Sequence, residues 1–113
     1  MITIYHNTRC SKSREGLAFL EDKAIPFTVV NYLEQPPSAS EIQSLLQKLR
    51  IPAIELVRTK ESLWKESFRD LNLSDEEIIA ALAQNPKLIE RPIIVNGDRA
   101  VIGRPTEKIA EIL

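Results

Sequence analysis

The sequence contains only one cysteine and one histidine among its 113 residues. A single cysteine cannot form an internal disulfide. One cysteine and one histidine are also too few to form the usual zinc sites made of these residues. Asn7 and Ser13 stand three residues before and after Cys10, so the Cys-x-x-Cys motif of dithiol oxidoreductases is absent. Any redox chemistry at Cys10 therefore takes its second thiol from another molecule.

Other signatures are missing as well. No apolar run approaches the ~20 residues that cross a bilayer, and the first residues lack the basic and apolar regions of a signal peptide. The formal net charge of −1 provides no basic field that would attract nucleic acid. Gly16 stands where the phosphate loop of tyrosine phosphatases places its arginine. We therefore expect a cytoplasmic protein with no membrane or nucleic-acid partner.

The hydrophobic pattern predicts an α/β protein. Ser38 with Glu41 and Ser74 with Glu77 match capping boxes, which mark helix starts. A strand–helix–strand unit, a helical insertion at about 38–86 and a final hairpin with a helix predict one thioredoxin-like domain over 1–113. The predicted elements are strands at 2–5, 27–32, 92–95 and 100–102, a helix at about 11–22, and a last helix with Ile109, Ile112 and Leu113 inward.

Cys10 lies between the first strand and the first helix of this plan, where we expect it to face solvent. Backbone N–H groups and the helix dipole make such a position electropositive, and Arg9, Lys12 and Arg14 add charge. This environment lowers the pKa of a thiol and favours the reactive thiolate. The alternative is a small buried hydrophobic side chain, which is the common role of a free cysteine.

Three arginines are candidates for binding an anion near Cys10. Arg91 and Arg104 each precede a proline at the edge of a predicted strand, and Arg58 lies in the helical insertion. An arginine fork binds tetrahedral oxyanions, and several forks around a thiolate would also lower its pKa. Taken singly, each arginine is more often a solvated surface charge, so the arginines alone are weak evidence.

Four further residues are candidates for supporting roles. His6 could orient or deprotonate the thiol, or it could be an ordinary hydrogen-bonded loop histidine. Asn7 and Ser13 could donate hydrogen bonds to a thiolate. Pro92 could form a cis peptide bond against the cysteine, as prolines often do in thioredoxin-like sites.

Five motifs in this chain resemble, in the same order, those of the glutaredoxin-dependent arsenate reductases. The resemblance implies that Cys10 attacks arsenate, and that Arg58, Arg91 and Arg104 hold it while His6 and Ser13 tune the thiol. It implies glutathione as co-substrate, glutaredoxin as partner, a role in arsenic detoxification, and no bound cofactor or metal. The motifs are His6-Asn7-x-x-Cys10-Ser11-x-Ser13-Arg14, Tyr32-Leu33-Glu34-x-Pro36-Pro37, Arg58-x-Lys60-Glu61, Pro86-x-Leu88-Ile89-x-Arg91-Pro92-Ile93 and Arg104-Pro105-x-Glu107.

Two other functions fit the same pattern. Transcriptional regulators of the Spx type share this fold and bind RNA polymerase, and many use a Cys-x-x-Cys switch whose first position is Asn7 here. A glutathione-dependent enzyme acting on another substrate with one thiol is the third possibility. The three arginines together with the lone Cys10 favour the arsenate reductase, because a fold alone does not decide function.

Overall fold

The computed structural model describes residues 2–113, and its contacts divide the chain into two compact units. The sheet unit comprises the residues up to Gln35 together with Arg91–Leu113, and the helical unit comprises Pro36–Glu90. The insertion expected at about 38–86 falls inside the helical unit. That the whole chain forms a single domain stays a prediction.

The sheet unit contains the strands β1 Ile2–His6, β2 Phe27–Asn31, β3 Ile93–Asn96 and β4 Arg99–Ile102 and the helix α1 Ser11–Asp22. The strands form one sheet in the order β2-β1-β3-β4. Strands β1 and β2 are parallel and are connected by the helix α1, whereas β3 and β4 form an antiparallel hairpin beside β1. The mixed sheet with its helices confirms the predicted α/β, thioredoxin-like class.

The strand register brings four chain segments to one end of this sheet. The last residue of β1, His6, pairs with the last residue of β2, Asn31. Tyr5 of β1 pairs with Ile93 at the start of β3, which in turn pairs with Ile102 at the end of β4. The segments after β1, after β2, before β3 and after β4 therefore emerge side by side.

One hydrophobic cluster of the sheet unit lies on the face of the sheet that Ile4 and Ile94 share. Leu20 of α1 is fully buried there, and so are Ile4 and Ile94, which pair across β1 and β3. A 3₁₀ helix at Thr106–Ile112 completes the core. The buried members are Ile2, Ile4, Leu20, Ile94, Ile109 and Ile112.

One prediction for the C-terminal segment is wrong. Ile109 and Ile112 are buried as expected, but Leu113 is 43% exposed. The reason is the helix type, because a 3₁₀ helix has about three residues per turn and repeats its inward face at i and i+3. Leu113 is four residues after Ile109, a spacing that would share a face only in an α-helix.

The helical unit begins its two main helices as the sequence predicts. Ser38 and Glu41 form a complete capping box at α2, and Ser74 and Glu77 form one at α4. Its helices are α2 Ala39–Leu49, α3 Ser62–Ser67 and α4 Asp75–Gln84, with short 3₁₀ turns at Ala53–Leu56, Arg69–Leu71 and Pro86–Leu88. Among residues 2–113, no helix has the length and apolar character needed to cross a membrane.

Candidate active site

Cys10 is the N-cap residue of α1, directly after the turn that leaves β1. Its backbone N–H donates to the carbonyl of Asn7 over 3.0 Å, and its own carbonyl accepts from the N–H of Arg14 over 3.0 Å. These two bonds hold the thiol at the first turn of the helix. Contrary to the expected solvent-facing position, Cys10 is only 8% exposed.

The burial of Cys10 is explained in part by Arg104, which follows β4 at the same end of the sheet. Its Nη2 lies 3.7 Å from the Cys10 sulfur, and its Nε donates to the carbonyl of Arg91 over 2.8 Å. One guanidinium group thus connects the thiol to the backbone that precedes β3. The sheet brings Cys10, Arg91 and Arg104 together, and that the two arginines bind a substrate anion stays a prediction.

Arg91 is a charged side chain that is almost entirely buried, with 8% of its surface exposed. Its Nε and Nη1 atoms are enclosed and donate hydrogen bonds to no described residue. Burying polar groups without partners costs free energy, and for a charged group the cost is larger. An anion accepted by these donors would remove that cost, so Arg91 has the properties of a preformed anion site.

The pKa of Cys10 is lowered from its ordinary value. Burial by itself raises the pKa of the thiol, because it disfavours the charged form. The opposing effects together outweigh burial: a hydrogen bond from the backbone of Ser13, hydrogen bonding and charge from Arg91, and a hydrogen bond from the backbone of Lys12. The first turn of α1 and one buried arginine therefore favour the thiolate.

His6 and Ser13 form a buried pair beneath this turn. His6 Nδ1 lies 2.6 Å from Ser13 Oγ, and the same oxygen accepts the backbone N–H of Asn7 over 2.9 Å. Burial, with a smaller effect from the Arg14 charge, lowers the pKa of His6, and a hydrogen bond with the backbone of Ser13 opposes this effect. The net shift favours the neutral ring. The pair ties the end of β1 to α1, and Ser13 approaches Cys10 through its backbone.

Two side chains expected near the thiolate instead organise the loop before it. The Asn7 carboxamide oxygen accepts the backbone N–H of Arg9 over 3.0 Å. Arg14 Nη1 donates to the carbonyl of Thr8 over 3.0 Å. Both contacts fix the backbone that enters Cys10, so these residues support the thiol through loop geometry.

Pro92 packs between two glycines that the sequence interpretation did not select. A Cβ atom added at Gly16 of α1 would lie 2.8 Å from Pro92 Cγ, and one added at Gly103 would lie 3.1 Å from the same atom. The Arg91–Pro92 peptide bond is cis. A glycine inside a helix usually has a packing reason, and this general signal could have identified Gly16.

Arg58 belongs to the helical unit and is held there by two carboxylates. Its Nη1 lies 2.8 Å from Glu61 Oε2, and its Nε lies 3.8 Å from Glu90 Oε1. The prediction that Arg58 binds the same anion as Arg91 and Arg104 stays a prediction. In residues 2–113, no group of three His, Cys, Asp or Glu side chains is placed to hold a metal ion.

Comparison with known proteins gives consistent matches over nearly the whole chain. The model of the ArsC family matches residues 5–112. The chain is 46% identical over 114 residues to a protein of Haemophilus influenzae named arsenate reductase, covering 99% of this chain and 98% of that one. A solved structure titled arsenate reductase from Vibrio cholerae is 48% identical, with a TM-score of 0.95 and coverage of 99% and 97%.

Proposed function

Because this chain belongs to the ArsC family, we propose that it reduces arsenate to arsenite with Cys10 as the nucleophile. The observation that carries the proposal is the buried Arg91, whose Nε and Nη1 have no partner among the described residues and which lowers the pKa of Cys10. A reactive thiolate beside unpartnered guanidinium donors suits an oxyanion substrate. The relatives from Haemophilus influenzae and Vibrio cholerae carry the corresponding name.

The first step is the attack of the Cys10 thiolate on the arsenic atom. A sulfur–arsenic bond forms, one arsenate oxygen leaves as water after protonation, and arsenic stays in its higher oxidation state. Arg91 and Arg104 hold the remaining oxygens, and Arg58 joins them as the family resemblance implies. The oxyanion keeps its negative charge during this step. The arginines bind that charge and thereby position the arsenic atom for attack by the Cys10 sulfur.

The second step needs an external thiol, because Cys10 is the only cysteine in the sequence. Glutathione attacks the Cys10 sulfur and a disulfide forms between the two. The sulfur–arsenic bond breaks with its electron pair staying on arsenic, which leaves as arsenite. Glutaredoxin then removes the glutathionyl group and returns Cys10 to its reduced form.

The test is the production of arsenite from arsenate by the purified protein with glutathione and glutaredoxin. The expected result is arsenite formation that stops when arsenate, glutathione or glutaredoxin is left out. Arsenite formed at the same rate without this protein would contradict the proposal. Absence of turnover together with capture of RNA polymerase would favour the regulator instead, and turnover of another substrate would favour the third function.

A further inference from the structure

A polar cavity of about 260 Å³ lies in the sheet unit beside the loop that carries Cys10. The two segments that form it leave the sheet together, because His6 and Asn31 end the parallel strands β1 and β2 as register partners. Its lining residues are Asn7, Thr8, Arg9, Asn31, Leu33 and Glu34. None of them is used to hold the oxyanion in the proposed reaction.

The residues that line the cavity include one of each charge, Arg9 and Glu34, and both are exposed. Two asparagines add hydrogen-bond donors. The Oδ1 of Asn7 accepts the N–H of Arg9 over 3.0 Å, and the Oδ1 of Asn31 accepts the N–H of Leu33 over 3.3 Å. With those acceptors engaged, each carboxamide has its Nδ2 group left to donate. A positive charge, a negative charge and two amide donors match a ligand group that carries both a carboxylate and an ammonium.

The strand order places the cavity and the arginines on opposite sides of the nucleophile. In the order β2-β1-β3-β4, the segment after β1 lies between the segment after β2 and the segments bearing Arg91 and Arg104. Arg9 is the immediate neighbour of Cys10 in sequence, so the two Cα atoms are about 3.8 Å apart. A second reactant held in the cavity would approach Cys10 from the side away from the oxyanion.

We propose that this cavity binds the γ-glutamyl end of glutathione, with Arg9 holding its α-carboxylate and Glu34 its α-ammonium group. The inference rests on the proposed function, because it assigns a site to the thiol donor of that reaction. The cavity volume is slightly below the ~300 Å³ at which cavities for whole drug-sized ligands begin, which suits one end of a tripeptide. The cysteinyl residue follows the γ-glutamyl group in glutathione, so it would extend from the cavity toward Cys10, the residue next to Arg9.

The test uses S-methylglutathione, whose blocked thiol permits binding without reaction, titrated into the full chain and followed by amide NMR. The expected result is a set of shifts at the six cavity residues and a dissociation constant that rises about fivefold to tenfold in Arg9→Ala and in Glu34→Gln. Arg99→Ala and Glu111→Gln remove the same charges from exposed positions of the sheet unit outside the cavity and serve as matched controls. They should bind like the unchanged protein.

A second ligand separates the two ends of the peptide. S-methylcysteinylglycine lacks the γ-glutamyl group, so its weaker binding should be the same in Arg9→Ala as in the unchanged protein. In turnover, Arg9→Ala should raise KM for glutathione by a similar factor with KM for arsenate unchanged. The pH midpoint of Cys10 alkylation should also stay unchanged, because the groups that lower its pKa are Ser13, Arg91 and Lys12.

Two results would overturn the assignment. One is equal affinity for S-methylglutathione in Arg9→Ala, Glu34→Gln and the control variants. The other is the absence of shifts at the cavity residues at millimolar ligand. Binding is measured without arsenate, so the outcome is separate from whether the protein reduces arsenate: a chain without reductase activity can still bind the ligand, and an active one can fail to bind it here.

Discussion

The variant Cys10→Ser is expected to lose all arsenate-dependent production of arsenite above the rate of the thiols alone. A serine hydroxyl is not ionised near neutral pH and cannot form a disulfide with glutathione, so both chemical steps fail. Stability should be kept or increased, because Cys10 is the N-cap of α1 and serine is a preferred N-cap residue. The measurements are an arsenite assay and a thermal melt.

The thermal melt shows whether a loss of activity in the arsenite assay comes from unfolding or from the missing sulfur. A folded Cys10→Ser protein with no activity identifies the sulfur as the nucleophile. If the variant retained activity, another group would have to attack arsenic, and Cys10 would return to the role of a buried structural side chain.

The second large effect is expected for Arg91→Met, which keeps an unbranched apolar side chain like the aliphatic part of arginine and removes the charged guanidinium group. We expect kcat/KM for arsenate to fall by about 10²–10³-fold, the loss typical when a preorganised donor is removed. The pKa of Cys10 should rise, because Arg91 is among the groups that lower it. The midpoint of the pH dependence of alkylation should therefore be higher in Arg91→Met than in the unchanged protein.

Stability distinguishes Arg91 from Arg104. The melting temperature of Arg91→Met should stay close to that of the unchanged protein, because Nε and Nη1 of Arg91 have no described partners and only its interaction with Cys10 is lost. Arg104→Met should instead lose about 1 kcal/mol, because Arg104 Nε donates to the Arg91 carbonyl. A strongly destabilised Arg91→Met protein, or one with a normal rate, would contradict the assignment of Arg91 as a preformed anion site.

Much of the fold follows from local signals in the sequence. The capping boxes at Ser38 and Ser74 depend on residues three positions apart, so they were predicted and are confirmed. The runs of β-branched residues predicted the ends of each strand to within one or two residues of their observed positions. Leu113 was misplaced because the same apolar spacing fits an α-helix and a 3₁₀ helix, and the sequence pattern does not separate the two.

Candidate site residues could be selected from the sequence, but the distances between them could not. Cys10 and Arg104 are 94 positions apart, and no local pattern specifies that one lies 3.7 Å from the other or that Cys10 is buried. The unpartnered nitrogens of Arg91 are likewise a property of packing. The cavity beside Arg9 and Glu34 was not predicted, because its two segments meet only through the register of β1 and β2.

The most direct test of the proposed chemistry is the intact mass of the protein after reaction with arsenate and glutathione in the absence of glutaredoxin. We expect one glutathionyl group to accumulate on Cys10 only when arsenate is present, and arsenite to be released in equal amount. An adduct that forms equally without arsenate, or arsenite released with Cys10 unmodified, would contradict the account.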